Sequence, residues 1–243
     1  MYNYFMLIGI VEEVNNSYLK LKVKREFGAG EDYFKIMMFD FFIDLNNLSK
    51  RKKFNRYGEP YSSTETFIAN FCKIWDCSFN HGCTKGVFVF KKLGFVLKFN
   101  ITNQRANCTE EYEAYNCAKK HGVERICAPV DIFYTAPNGE KFYIQPFAHI
   151  FEDYEVYATI EEMFRKKKFC ERKIQRYSDS FAFSGGLSTV FWKRCVQYYG
   201  WKFMQKVQEW AEECKVEDLH DGNVGVVGNN RPVLIDYGGA YFL

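Results

Sequence analysis

Residues 216–239, VEDLHDGNVGVVGNNRPVLIDYGG, decide the fold class of this 243-residue chain. Asp218 precedes Asn223 by five residues, and Asp236 follows two apolar runs, VGVV and PVLI, that are joined by the turn GNN. Two apolar runs around such a turn predict a β-hairpin, which would carry two carboxylates and an amide at one end. Hard oxygen ligands of this kind suit magnesium, with phosphate oxygens and water completing an octahedron. The stretch therefore predicts a magnesium site.

The segments DLHDGN and DYG resemble two motifs of the protein-kinase-like superfamily, which includes protein kinases and the aminoglycoside and choline phosphotransferases. DLHDGN is similar to the catalytic loop and DYG to the DFG motif, at the spacing that the family uses across its hairpin. The resemblance implies that Asp218 is the catalytic aspartate and that Asn223 and Asp236 are metal ligands. His220 would either contact the transferred phosphate or brace the loop.

Upstream segments extend the resemblance over roughly residues 65–243. FVLKF is similar to the VAIK strand of the family, which makes Lys98 the expected phosphate-binding lysine. In the following helix, Glu111 shares the apolar stripe of the helix and is expected to point toward Lys98. We prefer it to Glu110 and Glu113 for that reason.

The resemblance also implies where ATP binds. ATP is expected between two lobes, near a hinge where Gln145, Phe147 and Ala148 would contact it. The glycine-rich loop, GxGxxG in the family, is HGCTKG here, so Gly86 is in register and Gly82 is displaced by one residue. Both glycines are expected near the phosphates, in a loop that departs from the family pattern.

The expected fold is α+β, a protein-kinase-like two-lobed fold with a shortened carboxyl-terminal lobe and an amino-terminal β-rich extension. Residues 1–62 would form the extension and a basic linker, and residues 63–145 the amino-terminal lobe. Residues 146–243 would form a truncated, mainly helical lobe with the catalytic hairpin. Seven residues follow Asp236, so the activation loop and the APE segment of the family have no counterpart in this sequence.

Local patterns predict most of the individual elements. Helical spacing of apolar residues predicts a helix beginning near Ser62 and further helices over 109–120 and 203–214. Strands and tight turns are expected at VFVF (87–90), FVLKF (95–99), VDIFY (130–134) and KFYIQ (141–145).

The amino-terminal segment is predicted to be mostly strand over residues 4–48. Residues 18–24 alternate strictly between polar and apolar side chains, and DYFKIMMFDFFIDL (32–45) is a second apolar run. Residues 1–45 weakly resemble the opening strands of OB folds that bind single-stranded DNA, while a β-extension packed on the kinase-like domain is the default. The basic run SKRKKFNR (49–56) is expected to be a solvated linker, with nucleic-acid binding as the alternative.

Composition sets limits on partners and location. Lys and Arg number 33 against 30 Asp and Glu, and the net charge of +3 is too small to require a polyanionic partner. The amino terminus lacks the basic region and cleavage site of a signal peptide, and no apolar run is long enough for a membrane helix. Nine cysteines without a CxxC motif predict reduced, buried thiols. We expect a cytoplasmic protein that does not contact a membrane.

Three functions are compatible with the sequence. The first is an ATP- and magnesium-dependent phosphotransferase whose hydroxyl acceptor, a protein or a small molecule, is unknown. The second is a pseudokinase that serves as a nucleotide-binding or interaction module, favoured by the altered glycine loop. The third is a nucleic-acid-binding protein that uses the amino-terminal extension, and nucleic acid is the less expected partner.

Overall fold

The structure is a computed structural model that describes residues 31–102, 107–150, 189–214, 216, 221–227 and 231–237. It combines helices with antiparallel sheets, so the chain is an α+β protein, as the sequence predicts. The helices are α1 (Glu31–Arg51), α2 (Ser62–Trp75), α3 (Cys108–His121), α4 (Thr189–Tyr199) and α5 (Trp201–Glu213). The strands are β1 (Ser78–His81), β2 (Lys85–Phe90), β3 (Phe95–Asn100), β4 (Asp131–Thr135), β5 (Lys141–Pro146), β6 (His149–Ile150), β7 (Val224–Val227) and β8 (Arg231–Leu234). None of the described helices is long and apolar enough to cross a membrane.

The larger sheet has five antiparallel strands in the order β1-β2-β3-β5-β4. The two predicted pairs of strands are confirmed as β2–β3 and β4–β5. Gly94 ends the turn between β2 and β3 at φ +71°, a left-handed conformation that glycine adopts without steric cost. Successive residues of β5 face opposite sides of the sheet, so Phe142 belongs to one core and Tyr143 to another. The sheet therefore has a hydrophobic core on each face.

Helix α1 contradicts the predicted strand over residues 31–48. The run is apolar on almost every side, which hides its period in the sequence. In the structure, however, the buried positions follow a helical spacing, and Asp40 between them is exposed. The buried residues are Met38, Phe41, Phe42, Leu45 and Leu48. The prediction of a β-rich extension is therefore wrong for the described part of the extension. The resemblance to OB folds no longer holds over residues 31–45, which are helical.

Residues 1–30, which include the alternating segment 18–24, lie outside the described residues.

Helices α1 and α2 pack on the same face of the five-stranded sheet and share one aromatic core with it. Phe42 and Phe71 from the helices meet Phe88 and Phe142 from the sheet in this core, and all four side chains are almost fully buried. The described part of the extension thus shares a core with the amino-terminal lobe. The three-part domain division stays a prediction.

The basic linker, residues 49–56, makes contacts within the protein that a fully solvated segment would lack. Phe54 forms a β-bridge with Pro60, and the Lys52 ammonium donates to the carbonyl of Asn100 and lies 2.7 Å from a carboxylate oxygen of Glu140. Linker residues such as Lys50 and Arg56 remain exposed. One cation of the basic run is therefore used inside the protein rather than presented to solvent.

The second sheet contains the hairpin that the sequence predicts. Strands β7 and β8 pair antiparallel, with Val224 opposite Leu234, and β6 completes an order of β6-β7-β8. The main chain of Cys127 bridges to Leu234 and so connects this sheet to the segment that precedes β4. Helices α3, α4 and α5 pack with the hairpin around Trp210, which is fully buried.

One pair of cysteines departs from the expectation of reduced thiols. Cys117 of α3 and Cys214, directly after α5, form a disulfide across 97 residues of sequence. The pairing results from the packing of α3 against α5, which a short sequence pattern cannot indicate. The free cysteines of the described residues are Cys72, Cys77, Cys83, Cys108, Cys127 and Cys195.

Replacement of single apolar residues in α1 tests its helical packing. Leu45→Ala should reduce the free energy of unfolding by about 2–5 kcal/mol, because Leu45 is fully buried and a cavity would remain. Ile43→Ala, at a position 39% exposed, should change it by no more than about 0.5 kcal/mol. Denaturant unfolding of the full chain measures both values. In a strand the two residues would share one face, so equal losses would contradict the helix.

Candidate active site

A cleft of about 690 Å³ lies between the five-stranded sheet and the hairpin sheet. Strands β2, β3 and β5 form one wall, and the segments that flank β7 and β8 form the other. Six of the residues predicted for the site line it. They are Lys98, Gln145, Phe147, Ala148, Asn223 and Asp236.

Lys98 and Glu111 form a buried ion pair behind the cleft. The Lys98 ammonium lies 2.9 and 3.0 Å from the two carboxylate oxygens of Glu111, and it also donates to the carbonyl of Ile235 at 2.8 Å. Glu111 is fully buried, whereas Glu113 on the same helix is exposed. The predicted orientation of Glu111 toward Lys98 is confirmed. The role of the pair toward a nucleotide stays a prediction.

Gln145 braces this pair from β5. Its side-chain amide donates to a carboxylate oxygen of Glu111 at 3.0 Å and to the carbonyl of Ala128 at 3.1 Å. Gln145, the expected hinge residue, lines the cleft, but its side-chain N–H groups donate to acceptors within the protein. The main-chain N–H of Phe147 is likewise used, since it donates to the carbonyl of Gly94 at 2.9 Å.

Lys85 is a second buried lysine at the site, and the sequence analysis missed it. Its ammonium forms an ion pair with Asp236 and lies 3.7 Å from Glu111. Burial alone lowers the pKa of Lys85, but the carboxylates of Asp236 and Glu111 outweigh burial, and the pKa is raised. A sequence signal for Lys85 was available in the alternation of side chains along β2. Alternation places Lys85 on the same face as Val87 and Val89, both of which line the cleft.

The hairpin brings Asn223 and Asp236 to one end, as the sequence predicts. Asn223 directly precedes β7, Asp236 follows β8 by one residue, and the N–H of Ile235 donates to the carbonyl of Asn223 at 2.9 Å. The amide and carboxylate oxygens are donors that suit magnesium. The oxygen atoms are therefore of the kind that magnesium prefers, but Asp236 is already paired with Lys85, and the magnesium site stays a prediction.

Of the two glycines of the predicted loop, Gly86 has a structural explanation and Gly82 has none among the described contacts. Gly86 lies opposite Phe99, and an added Cβ would approach the Phe99 ring to 2.4 Å. A Cβ on Gly82 would meet nothing within 4 Å, while the carbonyl of Gly82 lies close against Gly58. The residues that line the cleft include neither Gly82 nor Gly86. Close packing of a strand accounts for Gly86, and the phosphate contact of both glycines stays a prediction.

Asp218 and His220 lie outside the described residues, so their predicted catalytic role stays a prediction.

The site offers no reactive thiolate among its described neighbours, because burial raises the pKa of Cys108 to about 12 against the lowering effect of Lys85. The described site thus consists of two ammonium groups, two carboxylates and amides at the base of a cleft. Each ammonium group of the site is paired with a carboxylate.

No protein-family model, no curated protein and no solved structure matches the chain.

Alanine substitution of the two glycines separates packing from ligand contact. Gly86→Ala should destabilise the fold by about 1–3 kcal/mol, because the Phe99 ring has to move to admit the methyl group. Gly82→Ala, in open space, should change the free energy of unfolding by no more than about 0.5 kcal/mol. Denaturant titration of both variants measures the difference. A destabilisation by Gly82→Ala as large as that by Gly86→Ala would contradict this account.

Proposed function

We propose that the chain is an ATP- and magnesium-dependent phosphotransferase of the protein-kinase-like superfamily. The observation that carries the proposal is the ion pair of Lys98 with Glu111 at the wall of a cleft whose opposite wall holds Asn223 and Asp236. Its hydroxyl acceptor is a protein or a small molecule.

The position of Lys98 supports a role in phosphate binding. A buried ion pair adds little stability on average, because both charges lose their hydration. At the wall of a cleft, the same pair holds an ammonium ready for an anionic ligand. Glu111 and Gln145 fix the side chain in place, so the lysine needs little reorganisation to contact the inner phosphates.

The opposite wall supports magnesium binding. Asn223 and Asp236 would hold the ion through an amide and a carboxylate oxygen, and magnesium would supply positive charge that neutralises the phosphates during transfer. Lys85 pairs with Asp236 in the structure and would have to release this carboxylate when the ion binds. The remaining residue of the proposal, Asp218, would orient the acceptor hydroxyl and take its proton.

The size and apolar lining of the cleft suit a nucleotide base. Its volume lies within the roughly 300–1,000 Å³ that small-molecule sites occupy. Val87, Val89 and Val96 on the sheet and Ala148 after β5 give it apolar walls on which a flat aromatic ring can pack. Lys98, Asn223 and Asp236 line the same cleft.

A pseudokinase is the second candidate, and the ion pair between Lys85 and Asp236 favours it. This contact neutralises the expected magnesium ligand with a protein cation. Packing against Phe99 also accounts for Gly86 without a bound phosphate. Both observations suit a cleft that binds nucleotide without magnesium and without turnover.

Thermal unfolding with ATP tests the metal assignment. ATP should raise the melting temperature more with magnesium than with chelator, because ligand that binds only the folded chain stabilises it. Asp236→Ala should remove the magnesium-dependent part, whereas Glu113→Ala, which deletes a carboxylate from the exposed face of α3, should retain it. Equal melting curves of the unmodified chain in magnesium and in chelator would overturn the assignment.

Two substitutions separate phosphotransferase from pseudokinase. Lys98→Met should weaken both ATP affinity and turnover, because the ammonium would contact phosphate in the ground state and the transition state. Asp218→Asn should lower turnover by about 10²- to 10⁴-fold with affinity nearly intact. Lys120→Met, at an exposed position of α3, is the control.

The measurements for these variants are ATP binding by titration and phosphate release or autophosphorylation. If the unmodified chain binds ATP but turns it over no faster than Asp218→Asn, the phosphotransferase proposal fails and the pseudokinase replaces it. If it binds no ATP at all, the phosphotransferase and the nucleotide-binding pseudokinase both fail.

A further inference from the structure

Three metal-ligating side chains meet where α3 packs against the end of α5. The ligand atoms of Cys117, His121 and Cys214 all lie within 4.8 Å of one another. Cys117 and His121 are four residues apart on α3 and therefore share one face of the helix, while Cys214 comes from the end of α5. A carboxylate oxygen of Glu213 lies 3.6 Å from Nε2 of His121. In the part of the chain that the structure describes, no other group of three or more such side chains converges in this way.

We propose that Cys117, His121 and Cys214 bind one zinc ion when both cysteines are reduced, with Glu213 as the fourth ligand. Two thiolates, one imidazole and one carboxylate are a ligand set that zinc accepts in tetrahedral geometry. Thiolate and imidazole are poor ligands for magnesium, so this site is distinct in chemistry from the cleft. The zinc site does not depend on the proposed phosphotransferase activity.

The disulfide alone does not account for the arrangement. It uses Cys117 and Cys214 but gives no reason for the imidazole of His121 to lie within 4.8 Å of both sulfurs. The Cα atoms of the two cysteines lie 7.0 Å apart, above the roughly 4.4–6.8 Å of most disulfides. A zinc ion holds two thiolate sulfurs about 3.8 Å apart, as follows from tetrahedral geometry and zinc–sulfur bonds of about 2.3 Å, and this suits the wider spacing.

The disulfide and the zinc site are two states of the same residues. A thiol or phosphine reductant supplies two electrons, the sulfur–sulfur bond breaks, and two protons from water give two thiols. Zinc then displaces both thiol protons as Cys117 and Cys214 become thiolate ligands. Partial exposure of His121, with 24% of its side chain accessible, leaves a path for the ion.

Cobalt titration of the full chain tests the site, because tetrahedral cobalt with thiolate ligands absorbs strongly. The chain is stripped of metal, reduced with a phosphine, titrated with cobalt and then with zinc. One cobalt per chain should bind with thiolate-to-cobalt charge transfer, and one zinc should displace it. His121→Ala and Cys214→Ser should each weaken binding by at least about tenfold.

The control is the double variant Cys72→Ser and Cys77→Ser, which removes another neighbouring pair of thiols and should bind cobalt as the unmodified chain does. Cys214 is buried, so its replacement can disturb folding, whereas His121 is partly exposed and Glu213→Gln is a milder change. The oxidised chain should bind no cobalt, because the disulfide occupies both sulfurs.

Absence of charge-transfer absorption in the reduced chain would overturn the proposal. Unchanged affinity in His121→Ala would do the same, as would binding by the oxidised chain that equals binding by the reduced chain. None of these readouts involves ATP, so failure of the zinc site and failure of the phosphotransferase proposal are distinguishable.

Discussion

The buried ion pair of Lys98 with Glu111 holds four elements together around the cleft: β3, α3, β5 and the β7–β8 hairpin. Both charges are removed from water, so each requires partners within the protein. Helix α3 has to approach β3 closely enough to place Glu111 against the lysine, and β5 has to bring Gln145 to the same carboxylate. The hairpin has to bring the carbonyl of Ile235 to the ammonium. The cleft is the space that these contacts leave between the two sheets.

The sequence predicted the parts of this arrangement that short patterns encode. Apolar alternation and turn residues were sufficient for the three hairpins, because strand and turn preferences act within a few residues. Glu111 was separated from Glu110 and Glu113 by its place on the apolar stripe of one helix, which is also a local property. The meeting of Asn223 and Asp236 followed from the hairpin between them.

The features that the sequence did not predict depend on contacts between distant segments. Lys85 meets Asp236 across 151 residues, and this contact requires the hairpin to face β2. The disulfide of Cys117 with Cys214 requires the packing of α3 on α5. The strand prediction for the region of α1 failed for another reason. Its run of aromatic and aliphatic residues suits a strand as well as a helix, and only packing against the sheet determines which side chains are buried.

The hydrogen bond from Lys98 to the Ile235 carbonyl joins the two walls of the cleft through the group that a ligand would contact. Rotation of one sheet away from the other has to lengthen this bond, and an anion that attracts the ammonium competes with the carbonyl for the same hydrogens. Under the proposed binding of a phosphate in the cleft, the angle between the sheets and the affinity for that ligand would therefore be thermodynamically linked. A contact that stiffens the hairpin at its far end would change ligand affinity without touching the ligand.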